Sequence, residues 1–331
     1  MAKEFFVDYP KLRPAVWANN GHLQTLASFF LRSKKSTRVQ TKHVVQLSDG
    51  DRLVIHDDIA KSWITGDRVA ILVHGLCGCH DSPCIRRIAL RLRRHGVRTI
   101  RIDMRGVGDS TLISRGHLHA GRSDDLLDVV AKVNQLTPLS KISLIGFSLG
   151  ANIVLKLLAE LPFDHLTNID SGIAVSPPID LEYCSANLRS RGNRLYDHYF
   201  VSRLTKTVTM RRRKVMNLVD NGLNPMPDRL LDFDDQFAGP VNGFAGAREY
   251  YNKCSSAKLL NQIYLPTIIV AAKDDPVIPF DMFDQRLFAP QTELVKTESG
   301  GHLGFVGNHP QDPDQFWLDW RVCSWLNSLD D

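Results

Sequence analysis

The chain reads as an α/β protein with a mostly parallel sheet and helices on both faces, and three observations predict this. From Arg68 onward, short apolar runs alternate with stretches of helical length, the order that builds parallel sheets. The runs Val69–Val73, Ile142–Ile145 and Pro266–Ala272 are continuous rather than alternating, as strands buried on both faces must be. From Ile179 to about Asn261 the alternation gives way to a charged, mixed segment with several short helical patterns and no clear strand. At the carboxyl end of a strand, an insertion of that size predicts a helical cap over a site. The expected organisation is one domain: 1–178 as an N-terminal arm and the first part of the core, 179–262 as the cap insertion, and 263–331 as the rest of the core.

The elements follow in order. An aromatic, turn-rich stretch through Trp17-Ala18-Asn19-Asn20-Gly21-His22-Leu23-Gln24-Thr25 reads as an ordered arm. Leu26 to Leu31 predicts a short helix packed on the core, although the basic Arg32, Lys34, Lys35 and Arg38 behind it would also suit a membrane surface. Val39–Leu47 and Arg52–Ile55 flank Ser48-Asp49-Gly50-Asp51, a hairpin signal at an antiparallel edge. A helix is expected over Ser82–His95, with Ile85, Ile88, Ala89 and Leu92 on one face, arginines on the other, and Gly96 as its stop. Strands are expected at Val97–Ile102, Ile169–Val175 and Glu293–Thr297, and helices near Asp124–Asn134, Ala151–Glu160 and Phe316–Leu329.

Composition bounds the function. With 331 residues, 43% hydrophobic and 23% charged, the chain has the makeup of a globular protein with a sizeable core. A net charge of +5 is mild for this length and does not point to nucleic acid. The arginine clusters Arg86-Arg87, Arg91, Arg93-Arg94 and Arg211-Arg212-Arg213-Lys214 read as solvated helix faces. No apolar run reaches the ~18 residues of a spanning helix, and Met1–Asp8 has no signal-like apolar stretch behind it. The six cysteines then suggest reduced thiols and a cytoplasmic setting. Cys77, Cys79, His80 and Cys84 cluster in sequence but lack the second ligand pair of a zinc site, so no metal is expected.

The chemistry centres on Gly146-Phe147-Ser148-Leu149-Gly150, a Gly-x-Ser-x-Gly motif entered by an apolar run and left by a helical one. A serine on a sharp strand-to-helix turn needs small residues two before and two after it, and the turn lifts its hydroxyl clear of the sheet. Such a hydroxyl becomes nucleophilic only when an imidazole takes its proton and a carboxylate orients the imidazole. In a parallel sheet these groups come from loops at strand carboxyl ends. Two such loops lie downstream, one carrying Asp274-Asp275-Pro276 and one carrying Gly300-Gly301-His302. The candidate catalytic residues are Ser148, Asp275 and His302; Asp274 competes with Asp275, because adjacent carboxylates cannot both face one ring. Oxyanion donors are expected at the amides of Leu149 and Leu76, the latter in His74-Gly75-Leu76-Cys77-Gly78, where His74 would brace the loop.

Together with Asn20–Thr25, Arg105-Gly106 with Gly108, and Gly300-Gly301-His302-Leu303-Gly304-Phe305, these motifs resemble the α/β-hydrolase superfamily and, within it, the YheT-like branch of predicted esterases. The arm motif, Phe233-Asp234-Asp235 and Tyr250-Tyr251 carry the likeness to the branch. The resemblance covers nearly the whole chain. It implies an α/β-hydrolase fold with a helical cap and a serine carboxylester hydrolase for short- to medium-chain acyl esters, monoacylglycerols included. Two further readings stay open: an alcohol O-acyltransferase using the same acyl-enzyme on Ser148, and a non-catalytic binding module. No metal or organic cofactor is implied. The expected partner is a small acyl ester, with no nucleic acid and no spanning segment; weak association with a membrane surface and the oligomeric state stay open.

Overall fold

Continuous apolar runs become the middle of an eight-stranded sheet. The computed structural model describes residues 10–31, 41–162, 168–284 and 286–330. The strands are β1 (Thr41–Gln46), β2 (Arg52–Asp58), β3 (Val69–Val73), β4 (Arg98–Asp103), β5 (Ile142–Phe147), β6 (Ile169–Val175), β7 (Thr267–Ala272) and β8 (Thr292–Thr297), in the spatial order β1-β2-β4-β3-β5-β6-β7-β8. Only β1–β2 and β2–β4 pair antiparallel. β1 and β2 form the hairpin with Gln46 opposite Arg52, and Gly50 takes the left-handed conformation (φ 82°) that its turn requires. Val39, where the hairpin was expected to begin, and the basic Arg32, Lys34, Lys35 and Arg38 lie outside the described residues.

Helices cover both faces. On one side α2 (Pro83–Arg94) and the last helix, Trp317–Ser328, bury Ile85, Ile88, Leu92, Trp317 and Val322 against the sheet. On the other, α3 (Ser123–Leu136) and α4 (Leu149–Glu160) bury Leu126, Val129, Val133, Val154 and Leu158. The arm contributes α1 (Gly21–Phe30), started by the Asn20 side chain, which accepts a hydrogen bond from the Leu23 amide. No helix among the described residues is long and apolar enough to cross a membrane.

Residues 181–254 carry a series of helices interrupted by a non-helical stretch over 215–229: α5 (Leu181–Leu188), α6 (Arg194–Lys214), α7 (Leu230–Phe233), a π-helical turn over Asp234–Ala238, α8 (Gly239–Val241) and α9 (Ala247–Cys254). α6 is a single helix of 21 residues rather than a set of short ones. Its apolar stripe is thin, with Val201 and Val208 packing on Phe233 and Phe237, so its length does not show in the sequence pattern.

The arginine clusters are not solvated faces throughout. Arg87 and Arg91 are buried and share Asp319 of the last helix, α10 (Trp317–Ser328), with Nε–Oδ2 distances of 2.9 and 3.1 Å. Their guanidinium groups lie 3.9 Å from the Phe316 ring centroid and 4.2 Å from that of Trp320, respectively. What looked like a solvated stripe is the seam between α2 and α10, where charge pairing and ring stacking replace water. Arg211 is fully buried too, donating to the carbonyls of Thr111, Ser114 and Gly116 and meeting His117 Nδ1. Burial lowers its pKa to about 10. Arg213 and Lys214 are exposed.

Candidate active site

β5 is flanked by β3 and β6, so the turn after Phe147 emerges at mid-sheet, on the edge where β3, β6, β7 and β8 also end. There Ser148 adopts φ 51° and ψ −121°, a conformation that L residues avoid and that only an over-determined turn maintains. Its amide donates to Val175 O at 2.8 Å, tying the turn to β6. The flanking glycines are required sterically. A Cβ on Gly146 would lie 2.5 Å from Ala151 Cα, and one on Gly150 would lie 2.4 Å from Val73 O.

The loops after β7 and β8 bring two of the other candidates to the serine. His302 Nε2 is 2.9 Å from Ser148 Oγ, and its Nδ1 is 3.0 Å from Asp275 Oδ2. Asp275 Oδ1 accepts the amides of Val277 and Ile278 at 2.8 and 2.9 Å, so one oxygen is anchored and the other faces the ring. Asp274 points elsewhere and accepts the Gly301 amide at 2.8 Å. Ser148, Asp275 and His302 are all buried. With Nδ1 directed at a carboxylate, the neutral imidazole presents its Nε2 lone pair to the hydroxyl.

Leu76 and Leu149 line the same cavity as Ser148. The Leu149 amide opens α4, so it has no acceptor within its own helix and lies at the positive end of the helix dipole. The Leu76 loop is braced by His74, whose Nε2 accepts the Met104 amide at 3.2 Å. That leaves the proton on Nδ1, which donates to Gly75 O at 2.8 Å, and burial lowers the pKa of the ring.

The cavity measures about 100 Å³. Apolar side chains from both the core and the helical segment form most of its wall, among them Leu118, Leu188, Phe200, Leu230 and Ile278. Its polar corner, apart from Ser148, holds Asp234, Tyr251 and Ser185. Tyr251 Oη donates to Asp234 Oδ2 at 2.7 Å and lies 3.2 Å from Ser185 Oγ. Burial pushes the Asp234 carboxyl up to about 7, and the Tyr251 hydrogen bond offsets only part of that.

A contact between distant parts of the chain holds His302. Its amide donates to Thr25 Oγ1 at 2.8 Å, and Thr25 Oγ1 donates to Gly21 O at 2.6 Å. The Gln24 side chain donates to Ala18 O and Val306 O and accepts the Val306 amide. The arm motif thus clamps the histidine loop. Its only local signal is a pair of polar residues, Gln24 and Thr25, both buried in a short helix.

Among the described residues, one group has ligand atoms close enough for a metal ion: His56, His80, Asp103 and Asp109. Asp103 already accepts His56 Nε2 at 3.0 Å, His80 Nδ1 at 2.7 Å, and the amides of His80 and Asp109 at 2.7 and 2.8 Å. Burial opposes its ionisation, but these donors prevail and hold it far below the ordinary carboxylate range. Lys42 pairs with Asp109 at 2.6 Å, and His56 Nδ1 has no acceptor to orient the ring as a ligand. The cluster therefore reads as a hydrogen-bonded knot joining β2, β4 and the loop after β3. Cys84 faces the core from α2 and does not join His80.

A strained serine after the central strand, with histidine and aspartate from the last two strand ends, matches the layout expected of an α/β hydrolase. The model of the α/β hydrolase fold matches residues 69–308, and the chain belongs to that family. Within it the chain is YheT-like: it is 29% identical over 320 residues to the YheT protein of Escherichia coli, named as an esterase, covering 94% of this chain and 91% of that one. A protein of Saccharomyces cerevisiae named monoacylglycerol lipase is 30% identical over 274 residues, covering 79% of this chain and 59% of the other. Among solved structures, the Pyrococcus furiosus esterase Pf2001 superimposes with a TM-score of 0.58 at 18% identity, over 89% of this chain and 97% of that one. That last likeness speaks for the fold alone. The family and these relatives make the protein a hydrolase.

Proposed function

We propose that the protein is a carboxylic ester hydrolase working through an acyl-enzyme on Ser148. The observation that carries this is the unbroken chain from Ser148 Oγ through His302 to Asp275, opening on an apolar cavity. His302 Nε2 takes the Ser148 proton as Oγ bonds to the ester carbonyl carbon, and Asp275 stabilises the imidazolium. The carbonyl oxygen gains negative charge, which the Leu76 and Leu149 amides hold. As the intermediate collapses, the C–O bond to the alcohol breaks and His302 returns its proton to the leaving oxygen. Water then attacks the acyl carbon, loses a proton to His302, and Ser148 leaves with that proton as the acid is released.

Residues 179–262 act as a cap, because their side chains close the outer wall of the cavity. An apolar cavity of about 150 Å³ holds a benzene-sized guest. The smaller volume here suits a short acyl group, and medium-length chains require the cap helices to shift. Monoacylglycerols are the natural candidates among such esters, given the relative named for that activity. The six free thiols suit the cytoplasm.

The test is hydrolysis of p-nitrophenyl esters of graded chain length by wild type and Ser148→Ala, recorded from the first turnover. The expected result is an initial burst with wild type, lost in the variant together with at least about a thousandfold of kcat. Wild type inactive on every ester, or a fully active variant, overturns the proposal.

A further inference from the structure

Asp234 is out of place in its surroundings. It lines the same cavity as Ser148, next to Phe233, Leu230 and Ala238, and the only hydrogen-bond partner of its carboxyl among the described residues is the Tyr251 hydroxyl. Among the described residues no arginine or lysine pairs with it, whereas Asp57 pairs with Arg98, Asp125 with Arg105, and Asp319 with Arg87 and Arg91. Placing a carboxyl in apolar walls without a cation costs folding free energy. Its position is also special. Asp234 opens the π-helical turn, a rare backbone form that is frequent at functional sites, and Asp235 beside it anchors that turn by accepting the Ala247 amide at 2.9 Å. Tyr251 is held in turn against Ser185 of α5. Three separate elements therefore converge to present one carboxyl oxygen and one hydroxyl inside an otherwise apolar chamber.

Resting on the esterase reading above, we infer that Asp234 and Tyr251 form a hydroxyl-recognition site that makes the enzyme select esters carrying a free hydroxyl near the ester bond. A carboxyl whose pKa stands near 7 suits that task. Its protonated form donates to a substrate hydroxyl and its ionised form accepts from one, whereas a permanently ionised acid would need a cation beside it. A simple alkyl ester leaves the pair without a partner, and a site built to bond a hydroxyl discriminates strongly against the analogue lacking it. The hydroxyl could sit on the alcohol, as in a glyceryl monoester, or on the acyl chain, as in a hydroxyacyl ester. The chemistry of recognition is the same for both.

The experiment measures kcat/KM for glyceryl monobutyrate against propyl butyrate, and for ethyl 3-hydroxybutyrate against ethyl butyrate, with wild type, Asp234→Leu, Tyr251→Phe and Asp234→Asn. The expected result is a wild-type preference of at least about tenfold for the hydroxyl-bearing ester in one pair, which names the source of the hydroxyl. That ratio should fall about tenfold in Asp234→Leu and Tyr251→Phe, and Asp234→Asn, which can still donate and accept, should retain part of it. Thermal melts establish that each variant is folded, and Tyr251→Phe, which removes one oxygen, serves if Asp234→Leu is not. Wild type that cleaves both members of each pair equally overturns the inference, as do folded variants with an unchanged ratio; in both cases the esterase reading stands. Wild type that cleaves none of the four esters removes both.

Discussion

The turn carrying Ser148 and the loop carrying His302 place their side chains by different means. The serine turn is held by its immediate surroundings: β5 before it, α4 after it, the Val73 carbonyl packed against Gly150, and the β6 carbonyl that takes its amide. The histidine loop leans on a segment 277 residues away, because its amide is taken by Thr25 and Gly304 fits against the Gln24 carbonyl, which a Cβ would approach to 2.2 Å. Local geometry thus suffices for the serine, while the histidine depends on a clamp from the other end of the chain. Asp275 stands between these cases, since its own loop supplies two amides to one oxygen and leaves the other for the ring.

That contrast makes the arm a positioning device, and substitutions can break or sharpen it. The largest effect is expected from Gly150→Val, which sets a side chain against the Val73 and His74 carbonyls at 2.4 and 2.5 Å. It should cost roughly 3 kcal/mol or more and remove nearly all ester hydrolysis, read by urea unfolding and a p-nitrophenyl ester assay. Gln24→Leu removes two hydrogen bonds to Val306, just beyond the histidine loop, and one to Ala18 of the arm. Stability should fall by about 2–3 kcal/mol, with kcat lowered more than KM is raised. An unchanged kcat in a folded Gln24→Leu protein would show that the loop holds His302 without the arm.

Thr25→Val is narrower, leaving the His302 amide without its acceptor. About 1 kcal/mol of stability and about tenfold in kcat should be lost, with Thr25→Ser restoring both. A wall group outside both regions should show itself in the pH dependence of stability. Burial raises the Asp234 carboxyl from the ordinary 3.8 to about 7, so the folded protein holds a proton that the unfolded chain releases between these values. Stability therefore falls as pH rises from about 4 to about 7. Asp234→Asn should gain on wild type across that window, measured as the difference in urea midpoint at pH 4.5 and 7.5. A constant difference would mean the carboxyl ionises freely.

Different parts of this molecule were legible to different depths. The central strands β3, β5 and β7 could be read because burial on both faces demands unbroken apolar runs, and the glycines of the serine turn because no larger residue fits there. The α2 arginines misled because their partner, Asp319, lies 232 residues beyond Arg87 and 228 beyond Arg91. A solvated face and a charged seam look alike until the second helix is known. α6 was hard to read for a related reason: a helix that rests on other helices and on solvent needs only a thin apolar stripe.

The amino-acid sequence by itself determined the order of strands and helices, the strained serine after the central strand, and the loops from which an acid and a base would come. Each of these depends on residues close together in the chain. The tertiary structure alone decided that Asp275 rather than Asp274 meets the imidazole, that Thr25 and Gln24 hold the histidine loop, that Arg87, Arg91 and Arg211 are interior, and that Asp234 and Tyr251 share a corner of the cavity. Those outcomes depend on which distant groups arrive to satisfy a buried charge or hydrogen bond, and that pairing belongs to the folded chain.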